Sequence, residues 1–284
     1  MKFILSQRSL LKISGSDAEI FLQNQLSNDI EKLENLKIQF NAYCQHQGKI
    51  IALFWVMRSN GCFLLSCPED LAEKVIARLQ MFIIMSDVII EDITEQYIQI
   101  GLINENNSGA YSISENMSLL ILSSEDIDSY LAVSEINKDL YDNDYEWRKA
   151  CIDFQIPEVF LNTSEKLVPQ MLNLDIDEVG VNFSKGCYPG QEVVARLHYL
   201  GESKRRLFSF KSESEMQVGD NLYCATSNTA KVRGARYKGS GIVVSKVKYN
   251  SLFYCLATLD TDLKDNKITL NNEHGPILEI LKNE

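Results

Sequence analysis

The stretch SKGCYPGQEVVARLHYLG, from Ser184 to Gly201, sets a cysteine between two glycines, follows it with Tyr-Pro-Gly and then turns helical. Gly186 and Gly190 allow backbone conformations that other residues resist, and Pro189 suits a first helical position. Glu192 falls in the first turn, where the helix dipole favours a negative charge, and Arg196 stands four residues on, placed to pair with it. The spacing predicts a tight loop over 185–190 leading into a helix over 191–198. Cys187 lies just before that helix and two residues from Lys185, and both features favour its thiolate. Tyr188 adds a ring and a hydroxyl. Taken singly, these residues read as a buried cap, a dipole partner and a surface ion pair; together they read as a site. A nucleophilic cysteine needs a base, and none of His46, His198 and His274 shows a recognisable pairing with Cys187. The chain contains no G-x-S-x-G, Walker or G-x-G-x-x-G motif.

Working outward, SLLKISG (Ser9 to Gly15) alternates like a strand, and Ser16 with Glu19 spells a capping box at the start of a helix. IIALFWVM (Ile50 to Met57) predicts a buried strand, Asn60-Gly61 a hairpin turn, and CFLLSC (Cys62 to Cys67) the return strand. A helix follows Pro68, with Leu71, Val75, Ile76, Leu79 and Phe82 on its apolar face. Strands are expected over 88–94, 97–103 and 118–122, with a second helix from about Ser124. DYEWRKACIDF (Asp144 to Phe154) reads as a helix that Pro157 ends. Beyond Gly201, RRLFSF, NLYC, GIVVSKVKY and LFYCLATL are short strands of a small barrel. Interleaved strands and helices joined by hairpins predict an α+β fold.

The chain has 284 residues, 45% of them hydrophobic, enough for a sizeable core in two or three domains. The apolar start is interrupted at Gln7 and Arg8, so no signal peptide is expected, and no apolar run is long enough for a membrane span. A soluble, cytoplasmic protein without membrane contact is the expectation. Seven cysteines, an odd number without C-x-x-C pairs, argue against a disulfide framework and against a zinc site, so no metal is expected. A net charge of −11 argues against a general nucleic-acid binder. Yet ten Lys/Arg face only three Asp/Glu between Ser203 and Lys248. That segment is either a solvated surface of the barrel or a docking face for an acidic protein, RNA or an anionic small molecule.

KGCYPGQE (Lys185 to Glu192) resembles the K-G-C-Y-x-G-Q-E signature of the YgfZ family of folate-binding proteins, relatives of the glycine-cleavage T-protein, an aminomethyltransferase. VPQMLNLD (Val168 to Asp175), EWRKACIDFQIP (Glu146 to Pro157) and ISGSDAEIFLQNQLSNDI (Ile13 to Ile30) resemble further segments of that family. The resemblance implies a three-part ring of two α+β, ferredoxin-like domains and a C-terminal antiparallel β-barrel around a central channel. The parts would be 1–45 with 140–200, carrying the KGCYPGQE motif; 46–139; and 201–284. The channel would hold tetrahydrofolate. Trp147 aligns with a pterin-contacting tryptophan, and Arg148, Gln170, Gln191 and Glu192 complete the implied folate contacts. A second aromatic contact is expected around position 8, where this chain has Arg8.

The resemblance implies a folate-binding accessory protein that supports iron–sulfur cluster assembly or repair. Through it, iron–sulfur enzymes would be supported, including those that modify tRNA. Its partners would be iron–sulfur proteins or cluster-assembly factors, with tRNA involved indirectly. Cys187 would be the reactive thiol, with Lys185 and Tyr188 beside it. A folate-dependent aminomethyltransferase or demethylase is the alternative. The stretch matching the T-protein's acidic segment, CQHQGKIIALF (Cys44 to Phe54), contains no carboxylate and offers only His46 for proton transfer. A tRNA-binding module using the basic segment, including Arg233 and Arg236, is the third reading.

Overall fold

The chain starts with two strands that enter different sheets, β1 (Lys2–Ile4) and β2 (Arg8–Ser14). The computed structural model describes residues 1–127, 129–130, 144–201, 203–226 and 239–281. β2 joins β3 (Gln39–Cys44), β4 (Ile50–Ser59), β5 (Cys62–Pro68) and β6 (Ile89–Asp92) in an antiparallel sheet of order β3-β4-β5-β2-β6. β1 joins β7 (Tyr97–Ile103), β8 (Tyr111–Ser112) and β9 (Met117–Ser123) in a second sheet of order β1-β7-β9-β8. β4 is buried from Ile50 to Met57 without alternation, because both of its faces are covered. Asn60 and Gly61, both at positive φ, make the hairpin from β4 to β5.

The β-barrel closes as expected, with six strands where the sequence shows four. They are β10 (Arg205–Ser212), β11 (Asn221–Tyr223), β12 (Gly241–Tyr249), β13 (Leu252–Asp260), β14 (Ile268–Leu270) and β15 (Ile277–Ile280), in the order β10-β13-β12-β11-β14-β15. β10 pairs with both β13 and β15, which closes the barrel. Side chains alternate across its wall. Val243, Cys255 and Ala257 fill the interior, while Val244 and Leu256 point outward and join the large core of the N-terminal sheets.

Among the described residues four α-helices dress these sheets: α1 (Ala18–Gln25), α2 (Ala72–Gln80), α3 (Tyr145–Asp153) and α4 (Gln191–Tyr199). α3 is the hub. Its Trp147 packs on Gly101 of β7 and, at 6.3 Å between ring centroids, on Trp55 of β4. Elsewhere α3 lies against β12 and β13, and Ser209 of β10 donates to the Ile152 carbonyl at 3.0 Å.

Three expectations change. The capping box does not form, and α1 starts at Ala18. Both Glu19 carboxylate oxygens accept from Arg58, and the backbone N–H of Ser16 donates to Asp87 Oδ2, so tertiary partners outcompete the local cap. Phe82 lies beyond the end of α2 and is 37% exposed. Residues 45 and 46, expected as a division between two α+β parts, lie in the turn between β3 and β4; these strands pair from Gln39↔Val56 to Cys44↔Ile50, so one sheet takes strands from both sides. The helix expected from Ser124 is described only for its first turn, where the Tyr130 N–H donates to the Asp126 carbonyl; the rest lies outside the described residues.

Candidate functional site

The Cys187 loop is pinned from below by its own lysine. Lys185 is buried, and its Nζ donates to three main-chain carbonyls, Gln23 at 2.7 Å, Leu26 at 2.6 Å and Asn28 at 2.7 Å. These oxygens belong to α1 and the turn after it, where helix carbonyls lack intrahelical donors. Burial pulls the Lys185 ammonium down to about 8, although Asp29 and Glu31 oppose the shift. Lys185, expected to favour a Cys187 thiolate, has its three N–H donors on these backbone carbonyls, which ties the loop to α1 and the turn after it.

The two motif glycines differ. Gly190 adopts φ 83° at the N-cap of α4, and a Cβ there would lie 2.4 Å from the Gln45 carbonyl oxygen. Gly186 has open space around its Cα and no such demand. Tyr188 is buried, with its ring 5.5 Å from the Lys185 ammonium. Burial, with the Cys44 thiol adding to it, drives its phenol upward. Cys187 itself is exposed, whereas Cys44, Cys67, Cys224 and Cys255 are buried, and burial pushes Cys44 up to about 12. The loop thus presents an exposed thiol just before a helix start.

Gln170, Gln191 and Glu192 belong to this neighbourhood. Gln170 Nε2 donates to the Val194 carbonyl of α4 at 2.8 Å, and its own carbonyl accepts from Arg206 at 3.0 Å, so it ties α4 to the barrel. Gln191 donates to the Gly186 carbonyl at 3.4 Å. The expected Glu192–Arg196 ion pair is not among those of the described residues, and Glu192 is exposed.

A second neighbourhood is a cavity of about 230 Å³ between β2, α3 and β12. Trp147 and Arg148 line it; Lys185, Cys187, Tyr188, Gln170, Gln191 and Glu192 do not. Trp147 is 3% exposed, so only an edge of the indole meets the cavity. Arg148 donates to Asp144 at 2.8 Å and to Gln7 Oε1 at 2.6 Å. Arg8, Glu158, Cys151, Ser245 and Lys246 are among the other lining residues and were not expected there as ligand contacts. Arg8 and Glu158 form an ion pair across 150 residues of chain. Burial draws the Arg8 guanidinium down to about 10, against the pull of Cys67 and Cys151.

Among the described residues no group of three or more His, Cys, Asp or Glu side chains gathers to hold a metal ion, and no helix is long and apolar enough to cross a membrane. Of the six described basic residues of the segment 203–248, four are ion-paired. Lys231, Arg233, Arg236 and Lys238 lie outside the described residues. Arg205, Arg206, Lys211 and Lys246 pair with Asp260, Asp175, Glu279 and Glu215.

Two antiparallel sheets, a closed C-terminal barrel and a cavity where they meet define the fold of the aminomethyltransferase T class. The crystal structure of the glycine cleavage system aminomethyltransferase T from Bartonella henselae matches with a TM-score of 0.69, over 99% of this chain and 84% of that one, at 12% identity. No family model matches the chain. The tRNA-modifying protein YgfZ of Colwellia psychrerythraea is 31% identical over 233 residues, 74% of this chain and 71% of that protein. An uncharacterized protein of Haemophilus influenzae is 29% identical over 262 residues, 91% of this chain and 89% of that protein. The YgfZ of Blochmanniella pennsylvanica is 24% identical over 94% of this chain and 89% of its own length. The chain belongs to the YgfZ family of tRNA-modifying proteins.

Proposed function

We propose that the chain is a tetrahydrofolate-binding accessory protein of the cytoplasm that supports iron–sulfur cluster assembly or repair. Through this it sustains iron–sulfur enzymes, including those that modify tRNA. The observation that carries the reading is the pairing of a pinned loop with an exposed thiol and a separate cavity bordered by a tryptophan edge. Trp147 and Arg148, which line the cavity, would hold the folate. Tetrahydrofolate, when bound, supplies a reduced pteridine that can carry a one-carbon unit.

Cys187 is the group that reaches partners. Its thiol meets an oxidised cluster intermediate or a partner thiol at the surface, with Tyr188 packed beneath it and Lys185 keeping the loop in place. Gln170 supports α4 behind it, and Gln191 and Glu192 flank it at the helix start. A methylene-transferring enzyme gains less support. The two carboxylates of the cavity, Asp144 and Glu158, are each already engaged by an arginine. A tRNA-binding surface gains little, because four of the described basic residues of the barrel are ion-paired.

The test is a strain lacking the native protein and supplied with wild type or Cys187→Ala, grown under oxidative stress while the activity of an iron–sulfur enzyme is followed. Loss of that activity with normal levels of folded variant is expected. Full activity in the variant would remove the thiol from the mechanism.

A further inference from the structure

The five-stranded sheet is open along β6. Among the described residues β6 pairs with β2 alone. The Ile93 N–H donates to the Leu10 carbonyl at 2.9 Å. By alternation Ile89 and Glu91 bond to β2, and the main-chain groups of Ile90 and Asp92 point to the open side. The loop before this strand exposes apolar side chains. Met81, Ile84, Met85 and Ile89 are each more than half exposed, and Met85 completely so, at φ 62°. The loop is tied down even so. Ile83 packs against the core, the Asp87 N–H donates to Asp17 Oδ2 at 2.8 Å, and the Asp17 N–H donates to the Asp87 carbonyl at 3.2 Å. Ile83 turns in and its neighbours turn out, which makes an apolar lip beside a free strand edge. An added strand uses both features.

Charge decides what kind of strand that is. From Leu79 to Asn137 the sequence has ten Asp and Glu and no Lys, Arg or His. Four of these acids, Asp87, Glu91, Asp92 and Glu95, fall in or beside β6, while Lys12 of β2 is paired with Glu91 at 2.8 Å. A second copy of the chain would bring the same acids to this edge, and like charges opposite one another destabilise a strand pair. A strand with Lys or Arg between apolar residues meets opposite charge and an apolar lip together. The acids thus admit one class of strand and repel the chain's own.

We propose that the open edge of β6, with the lip formed by Met81, Ile84 and Met85, docks an extended segment of a partner protein in which Lys or Arg alternates with apolar residues. The segment adds to the sheet as a sixth strand. Main-chain hydrogen bonds to Ile90 and Asp92 hold it, the lip covers its apolar side chains, and the acids of β6 select its charge. None of these residues lines the Trp147 cavity or belongs to the Cys187 loop, so the inference stands apart from the folate and thiol readings.

The experiment titrates the full chain with a short fluorescein-labelled peptide of alternating Lys and Val, followed by anisotropy and by amide hydrogen exchange at Ile90 and Asp92. The controls are the same peptide N-methylated at every second residue, a Glu-Val peptide, and the double variant Ile84→Lys/Met85→Lys, with thermal unfolding as the check on folding. The Lys-Val peptide should saturate and slow exchange at both amides. The N-methylated peptide and the double variant should each bind at least about tenfold more weakly, the loss of two hydrogen bonds or of the lip, and the Glu-Val peptide should not bind. No saturation by Lys-Val up to about 1 mM would overturn the proposal. Equal binding of the N-methylated peptide would overturn it too, by showing charge attraction without strand addition, as would wild-type affinity in the folded double variant. A wild-type dimer in sedimentation that the double variant abolishes would make a second copy the occupant and overturn the partner assignment. If the double variant does not fold, the N-methylated peptide and the exchange at Ile90 and Asp92 decide.

Discussion

The indole of Trp147 rests on the backbone of Gly101: a Cβ at residue 101 would lie 2.5 Å from the ring. The contact joins α3 to β7 and fixes the edge of the indole that borders the cavity. Gly101→Ala must therefore push the indole aside. We expect a loss of about 1–3 kcal/mol, the usual cost of overpacking, together with weakened tetrahydrofolate binding. Chemical denaturation and a folate titration on the same variant measure both. A variant as stable as wild type would mean that the indole has room to move.

The motif glycines make a matched pair. Gly190→Ala meets both a positive φ and the Gln45 carbonyl, so we expect destabilisation of about 2 kcal/mol or more. Gly186→Ala meets nothing and should stay within about 0.5 kcal/mol of wild type. Urea unfolding of the two proteins side by side separates them.

Lys185 sets a pH dependence of definite sign. Its folded value is drawn down from 10.5 to about 8, so between about 8 and 10.5 the unfolded chain binds more protons than the native one. Stability from this group therefore rises with pH across that window, as deprotonation relieves the buried charge. Lys185→Met lacks this component. The difference in melting temperature between wild type and Lys185→Met should grow in favour of wild type from pH 8 to pH 10. A constant difference would show that the ammonium is not held back by burial.

Glu158→Gln leaves the Arg8 guanidinium buried without its counter-charge. Breaking a buried pair from one side costs about 3–5 kcal/mol, and the partial exposure of Glu158 places this one near the lower end. Denaturant titration of the variant gives the number. A near-neutral result would mean that water replaces the carboxylate.

Local signals made much of the fold legible. β4 announces itself as an apolar run and Asn60-Gly61 as its turn, and both elements form. β1, β14 and β15 have three, three and four residues, too few for a period to emerge. β3 hides for another reason. Its Asn41 is fully buried, yet it is a polar residue, because its Oδ1 accepts from the Asn28 N–H at 2.9 Å. The loop of the candidate site was legible because its elements are contiguous. The role of Lys185 was not, since its acceptors lie around 160 residues away, at separations of 157, 159 and 162. The cavity wall is assembled from β2, α3 and β12, and no local pattern links Arg8 to Glu158 or Ser245.

The central claim is that the cavity bordered by Trp147 holds tetrahydrofolate. Its most direct measurement is an anaerobic titration of the purified chain with tetrahydrofolate, followed by tryptophan fluorescence, with Trp147→Phe beside wild type. Saturable binding with a fluorescence change that is weakened or lost in the variant is the expected result. A folded wild type that shows no binding at any concentration would contradict the account and leave the exposed thiol of Cys187 as the remaining place to look for function.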